Sequence, residues 1–305
     1  MVKRTGPVFE KGIVQAYLNI GPWQKAIPVV TNESLSVKWR RRTGLVGGGN
    51  RLINEPFADT RSVTEDAAMV LSLYGFYVTM DTELLDEPDG AAAQAEQVQA
   101  QSEGLSRQVC NDFINGDEGT NPKGFSGMKV LISNLPARQR IAANLLFDTP
   151  ANRKSNAFEL LRILQTGVMR IQQGTGMKPD LMLVEDELLP FLADGFRQNQ
   201  GIWTTQKDGD RVVDTLFGIP VEPAGFDLNQ NPIIGANHDG DGRTSVYMFK
   251  WGPQYVHYVQ KYGLRTGKPV LLDDQVTSRI KVDWALAPRI KNDFAAVRIT
   301  GIDMT

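Results

Sequence analysis

Apolar residues recur along this chain with two periods. Between residues 90 and 115, Val98, Leu105, Val109 and Phe113 are spaced by 7, 4 and 4, a single helical stripe. Ala91, Ala92, Ala93 and Ala95 before it are strong helix formers. The spacing predicts a helix about 35 Å long at ~1.5 Å per residue. Cys110 lies beside the stripe, where a buried, inert thiol is expected. Residues 156–173 repeat the pattern through Ala157, Leu161, Leu164, Val168 and Ile171. Asn156 with Glu159 predicts the start of that helix, and Gly174, Gly176 and Pro179 its end. A further helix is predicted over residues 185–196, where Pro190 fits only in the first turn.

The second period is two. In residues 35–43, Leu35, Val37 and Trp39 point one way and Ser36, Lys38 and Arg40 the other. In residues 70–81, Tyr74, Phe76, Val78 and Met80 share a face. These two runs predict the sides of a long excursion from about 35 to 80, with Gly47, Gly48 and Gly49 at its tip. Short apolar runs at 128–132 and 181–184 predict buried strands. Residues 211–224 read as two strands about a Gly turn, and 226–244 as an Asn/Asp/Gly-rich loop. Four more strands follow at 246–251, 255–262, 278–285 and 294–302. Helices in the middle and antiparallel strands towards the end make the class α+β. Residues 1–34 are broken by Gly6-Pro7, Gly21-Pro22 and Pro28, yet carry Val8, Phe9, Ile13, Tyr17 and Trp23. Such an arm needs a surface to lie on, its own domain's or a neighbour's.

Charge sharpens this picture. The 305 residues hold 33 Lys+Arg and 35 Asp+Glu, a net charge of -2. Residues 1–62 carry ten bases and four acids, +6, whereas residues 63–119 carry twelve acids and one base, -11. A basic arm followed by an acidic stretch points to complementary surfaces, within one subunit or between copies. The near-neutral total argues against gripping nucleic acid through bulk charge. No apolar run reaches the length of a membrane span, and the first residues lack the apolar core of a secretory signal, so a soluble product is expected.

Catalytic and cofactor patterns fail one by one. One cysteine and two histidines, His238 and His257, leave no disulfide framework and little for metal chemistry. Residues 263–269, GLRTGKP, have three residues between the glycines and Pro269 where a phosphate loop needs Ser/Thr. Residues 238–245, HDGDGRTS, resemble a calcium loop through Asp239 and Asp241, but Arg243 puts a cation at a ligand position. Asp273-Asp274 and Glu185/Asp186/Glu187 are acid clusters of a kind common at surfaces and helix starts. His257, within the aromatic run YVHYVQKY, reads as a structural imidazole. No enzyme, cofactor or metal is expected.

Four stretches together carry a family resemblance: CNDFINGDEGTNPKGFSGM (110–128), KPDLMLVEDELLPFL (178–192), LFGIPVEPA (216–224) and VYMFKWGPQYVHYVQKYGLR (246–265). The closing DWALAPRIKNDFAAVRITG (283–301) also fits. In this order they resemble the major capsid proteins of tailed bacteriophages, the Hong Kong 97-type fold. The resemblance implies an N-terminal arm at 1–34 and an extended loop at 35–85. It implies a peripheral domain with a long spine helix at 86–135 and 246–305, and an axial domain at 136–245. It implies self-assembly into pentamers, hexamers and an icosahedral shell that encloses double-stranded DNA, in a virion assembled in the host cytoplasm. Scaffolding, portal and decoration proteins are the implied partners. Encapsulin nanocompartments share the fold and stand as the alternative; an α+β enzyme is a weaker one. Contacts between subunits are expected from Trp23, Arg40, Arg41, Arg42, Arg51 and Arg61. The Arg40–Arg42 triplet is expected to meet a neighbour's carboxylates, with the acidic stretch 81–118 as the candidate, or else to be a solvated face or a contact to the packaged genome.

Overall fold

A computed structural model describes residues 22–42, 49–57, 64–197, 203–208, 211–274 and 276–304. After a 3-10 turn at Pro22–Ala26, the chain forms β1 (Val29–Thr31), β2 (Ser36–Arg42), β3 (Thr64–Val70) and β4 (Ser72–Asp81). Helices α1 (Thr82–Asp86), α2 (Gly90–Asn115) and α3 (Met128–Ser133) follow. Then come β5 (Arg140–Leu146), α4 (Pro150–Thr175), β6 (Leu181–Val184), α5 (Leu188–Arg197), β7 (Trp203–Asp208), β8 (Arg211–Leu216) and β9 (Ile219–Pro223). The last third is β: β10 (Arg243–Phe249), β11 (Val256–Thr266), β12 (Val270–Leu271), β13 (Thr277–Ile290) and β14 (Ala296–Asp303).

Three sheets result. A five-stranded sheet runs β1-β11-β13-β12, with β4 pairing β13 over ten positions. A seven-stranded sheet runs β5-β14-β10-β6-β9-β8-β7, and β2 and β3 form a separate hairpin. The class is α+β, as the pattern predicts, and the spine helix α2 has the predicted ends.

Helix α2 lies on the five-stranded sheet through the predicted stripe: Val98, Leu105, Val109 and Phe113 are all buried. Phe113 is the centre of an aromatic cluster. Its ring centroid lies 5.4 Å from Trp23, 5.3 Å from Tyr258, 5.9 Å from Phe249 and 6.2 Å from Trp251. Tyr74 Oη on β4 donates to Asp112 Oδ2 at 2.7 Å, a polar tie beside the same contact. Cys110 is buried as expected, and burial pushes its thiol up to about 12.

Strands β6 and β10 are buried on both faces. Leu181, Leu183, Tyr247 and Phe249 pack into the aromatic cluster, and the alternate residues Met182, Val184, Val246 and Met248 pack under α4. Helix α4 presents Leu160, Leu164, Val168 and Ile171 to that second core. Gly176 ends α4 at φ 76°, the left-handed cap that glycine accepts without a Cβ clash. The turn between β8 and β9 has Phe217 at φ 57° and Gly218 at φ 75°, as a tight hairpin requires.

Several expectations are corrected. Residues 128–133 form a helix, not a strand: Leu131 N–H donates to the Gly127 carbonyl at 2.9 Å, and a short apolar run fits either period. Helix α4 begins at Pro150, capped by Thr149, six residues before the predicted start. Asn156 does not cap it; its side-chain amide donates to the Leu146 carbonyl at 2.9 Å. The excursion returns through β3, not through residues 70–81 as the pattern predicts; residues 72–81 pair with β13 in the five-stranded sheet. Strands β11, β12 and β13 lie in the five-stranded sheet, and β10 and β14 in the seven-stranded one.

Replacing Phe113 by Ala removes the ring on which the helix and both sheets meet. Unfolding free energy from denaturant titration should fall by about 3–5 kcal/mol, the range for a large buried aromatic. A fall below about 1 kcal/mol would show that the cluster is not the keystone.

Candidate assembly interface

The expected contact residues separate on inspection. Trp23 is 2% exposed, its ring against Phe113 and its Nε1 donating to the Ala224 carbonyl at 3.3 Å. It is a core residue of its own chain. Arg40, Arg41 and Arg42 lie at the far end of β2. The antiparallel register sets Arg40 opposite Asp66 and Arg41 opposite Glu65, so acidic positions face them within the hairpin itself. Arg51 is exposed, donates to the Glu55 carbonyl at 3.2 Å and stands 5.0 Å from the Phe57 ring. Arg61, and residues 43–48 with two of the three expected tip glycines, lie outside the described residues.

The hairpin is anchored at its base. The Leu71 N–H donates to the Leu35 carbonyl at 2.8 Å, and the Arg289 guanidinium of β13 stacks 4.2 Å from the Trp39 ring. Towards the tip the chain exposes apolar side chains: Leu52 is 72% exposed, Ile53 92% and Phe57 66%. Three large apolar groups open to water on one short segment mark a contact surface. The hydrophobic periodicity of β2 foreshadowed the hairpin but not this tip, whose residues follow no period.

The groups weighed for chemistry do not converge. Asp239 is held by Arg298 and by Ser245, whose hydroxyl donates to it at 2.8 Å. His238 Nε2 shares a 2.8 Å hydrogen bond with Tyr247 Oη, and Lys129 Nζ donates to the His238 carbonyl at 2.7 Å. These bonds knit α3, the loop before β10, and β14 into a structural network. Among the described residues no cluster of three His, Cys, Asp or Glu has the arrangement of a metal site. Asp274 caps its own turn, accepting the Thr277 N–H at 3.0 Å. His257 is buried in β11 with Nδ1 unpartnered, and burial followed by nearby Arg289 depresses it to about 4. Burial, then Lys129, likewise depresses His238 to about 4.

Glu185, at the end of β6, is the one buried carboxylate of its acidic trio. Its Oε2 has no partner, and burial, followed by Glu187 and Asp186, pushes it up to about 7.

No family model and no curated protein matches this sequence. Solved structures do match, along most of their lengths. The SrpI encapsulin of Synechococcus elongatus PCC 7942 superposes with a TM-score of 0.66 at 13% identity, over 94% of this chain and 89% of that one. The capsid of a native GTA particle gives 0.61 at 15% identity, over 99% and 93%. Mycobacterium phage Bobi gives 0.58 at 11% identity, over 90% and 88%.

Two charge effects can be measured. Asp66 and Glu65 face Arg40 and Arg41, so Arg40→Glu with Arg41→Glu should loosen the hairpin, by ~0.2–1 kcal/mol per opposed pair. Adding Asp66→Lys and Glu65→Lys should restore it, read as proteolytic protection of the hairpin. If protection does not return, the arginines find their partners elsewhere.

The second concerns pH. The raised Glu185 favours folding below about 4.5, its ordinary value, and loses that contribution as pH rises through about 7. Glu185→Gln should therefore raise Tm at pH 8 and leave it nearly unchanged at pH 4. Equal shifts at both pH values would show that ionisation is not the cause. The two histidines act on the other side: depressed below the unfolded value of 6.5, they cost stability as pH falls from 6.5 towards 4.

Arm-side strand, anchored hairpin, spine helix across a long β-sheet, and helix-backed second sheet follow one another as in those shells: the chain has the Hong Kong 97-type capsid fold.

Proposed function

We propose that this chain is the major capsid protein of a tailed bacteriophage, assembling into pentamers and hexamers of an icosahedral shell around double-stranded DNA. One observation carries the reading: the likeness to a GTA capsid runs over 99% of this chain and 93% of that one, nearly end to end in both. The exposed Leu52, Ile53 and Phe57 support it, since an apolar tip on a two-stranded extension is stable when another copy covers it. In this reading the hairpin reaches an adjacent subunit, with Arg51 and Arg61 among the contacts, while Trp23 and β1, which belong to the expected arm 1–34, stay with their own chain. The peripheral domain is built on α2 and the five-stranded sheet, and the axial domain on α4 and the seven-stranded sheet. Scaffolding, portal and decoration proteins are the expected partners, in a virion completed in the host cytoplasm. A near-neutral chain suits a wall that encloses DNA without gluing it in place. The match to SrpI encapsulin, at a TM-score of 0.66, favours a nanocompartment shell as the second reading.

The purified chain should elute far ahead of a monomer on size exclusion and show closed shells by negative-stain microscopy. A monomer or small oligomer under all assembly conditions would overturn both shell readings. Shells from the native source that hold double-stranded DNA support the capsid; shells that hold a protein cargo and no genome support the compartment.

A further inference from the structure

The five-stranded sheet has two unlike faces. One, through Tyr74, Phe76, Val78 and Val282, turns towards α2. The other is uncovered: Leu73 is 62% exposed and Tyr77 57%. Between them Gly75 leaves the surface bare, because β4 and β13 approach so closely that an added Cβ would stand 2.4 Å from the Val282 carbonyl oxygen. A groove of about 500 Å³ follows, with Leu73, Gly75 and Tyr77 on one side and Tyr262 on the other. Its rim has more bases than acids, although Arg265 and Lys281 pair with Asp283 at 2.8 and 3.6 Å, so the excess rests on Lys261 and on cations that share one carboxylate. Lys261, Arg265 and Lys281 line it, and Arg279 stacks 5.1 Å from the Tyr77 ring, whereas Asp283 is the one acid in the lining. An exposed apolar floor under a positive rim fits an acidic segment with an apolar side chain at its centre.

This chain carries such a segment. Residues 83–89, ELLDEPD, expose Glu83, Asp86, Glu87 and Asp89 around Leu84, which is itself 54% exposed. None of the four acids makes an ion pair among the described residues. The segment cannot reach the groove of its own chain. It starts where β4 ends, about 20 Å along that strand from Gly75 at ~3.3 Å per residue, and leads into the helix on the opposite face of the sheet. We infer that the acidic segment 83–89 of one copy docks in the cationic groove of the next. Two different patches, each meeting its complement on a neighbour, make a heterologous contact, the type that closes into rings. The inference rests on the shell reading and names a contact within it.

The test is a charge swap in the full-length chain. Lys261→Glu with Lys281→Glu should abolish shells on size exclusion and negative-stain microscopy while leaving the circular dichroism spectrum and thermal transition in place. Glu83→Lys with Glu87→Lys should do the same. All four substitutions in one chain reverse every such contact at once and should restore shells. Normal shells from either double variant overturn the inference, as does a folded fourfold variant that forms none. Wild-type protein that forms no shells counts against the shell reading instead. Double variants that assemble normally but lose binding to a DNA oligonucleotide overturn the docking of a second copy and identify the groove as a polyanion site.

Discussion

Everything in this fold hangs on strands that have no solvent side. Leu181 to Val184 are buried at every position, and so are the last six residues of β10. Odd residues of these strands meet the aromatic cluster around Phe113; even ones meet α4. A strand of this kind ties two cores with one backbone. The spine helix, its sheet and the helix-backed sheet cannot then slide past each other without opening close-packed interior on both faces. The polar tie agrees: Asp180, just before β6, accepts from Lys250 Nζ and from the Trp251 N–H, each at 2.7 Å, at the end of β10.

The same constraint explains why the helices were legible in the sequence and other parts were not. A helix that covers one face must repeat its apolar residues at 3.6, and Val98 to Phe113 and Leu164 to Ile171 do so. Strands with one wet face alternate, as β4 does. Four consecutive apolar residues at 181–184 identify a buried run, but not that its two faces serve different cores. The six residues of α3 are too few for any period to speak, and α4 begins with a polar first turn before its stripe reaches the sheet. Strand β5 was missed because its exposed positions include Ala142 and Leu146, so its residue types do not alternate with its exposure, and β7 because WTTQKD is mostly polar.

Trp23 shows where sequence neighbours mislead. It stands among Gly and Pro breaks, in a segment with no core of its own, so its surface could lie on its own domain or on a neighbour. Its partners, Phe113 and the Ala224 carbonyl, come from distant parts of the same chain. The Arg40–Arg42 triplet shows what register adds. Its basic run drew attention to distant acids, while Glu65 and Asp66 stood opposite, in a return strand whose first half is too polar to be recognised.

A chain whose two cores are locked together has little freedom to bend at its centre. A closed shell nevertheless needs one sequence to sit at five-fold and six-fold positions, which demand slightly different angles between neighbours. The adjustment must then fall on parts outside the locked cores. The hairpin β2–β3 qualifies: it pairs with no other sheet and is held at its base by the Leu71–Leu35 bond and the Arg289–Trp39 stack. Surface ion pairs qualify as well, because exposed pairs contribute only ~0–1 kcal/mol each and tolerate shifts in geometry. In the proposed shell, rigidity at β6 and β10 with weak and adjustable contacts at the periphery is the division that would let one rigid subunit fill unlike positions and let a misplaced copy leave before closure.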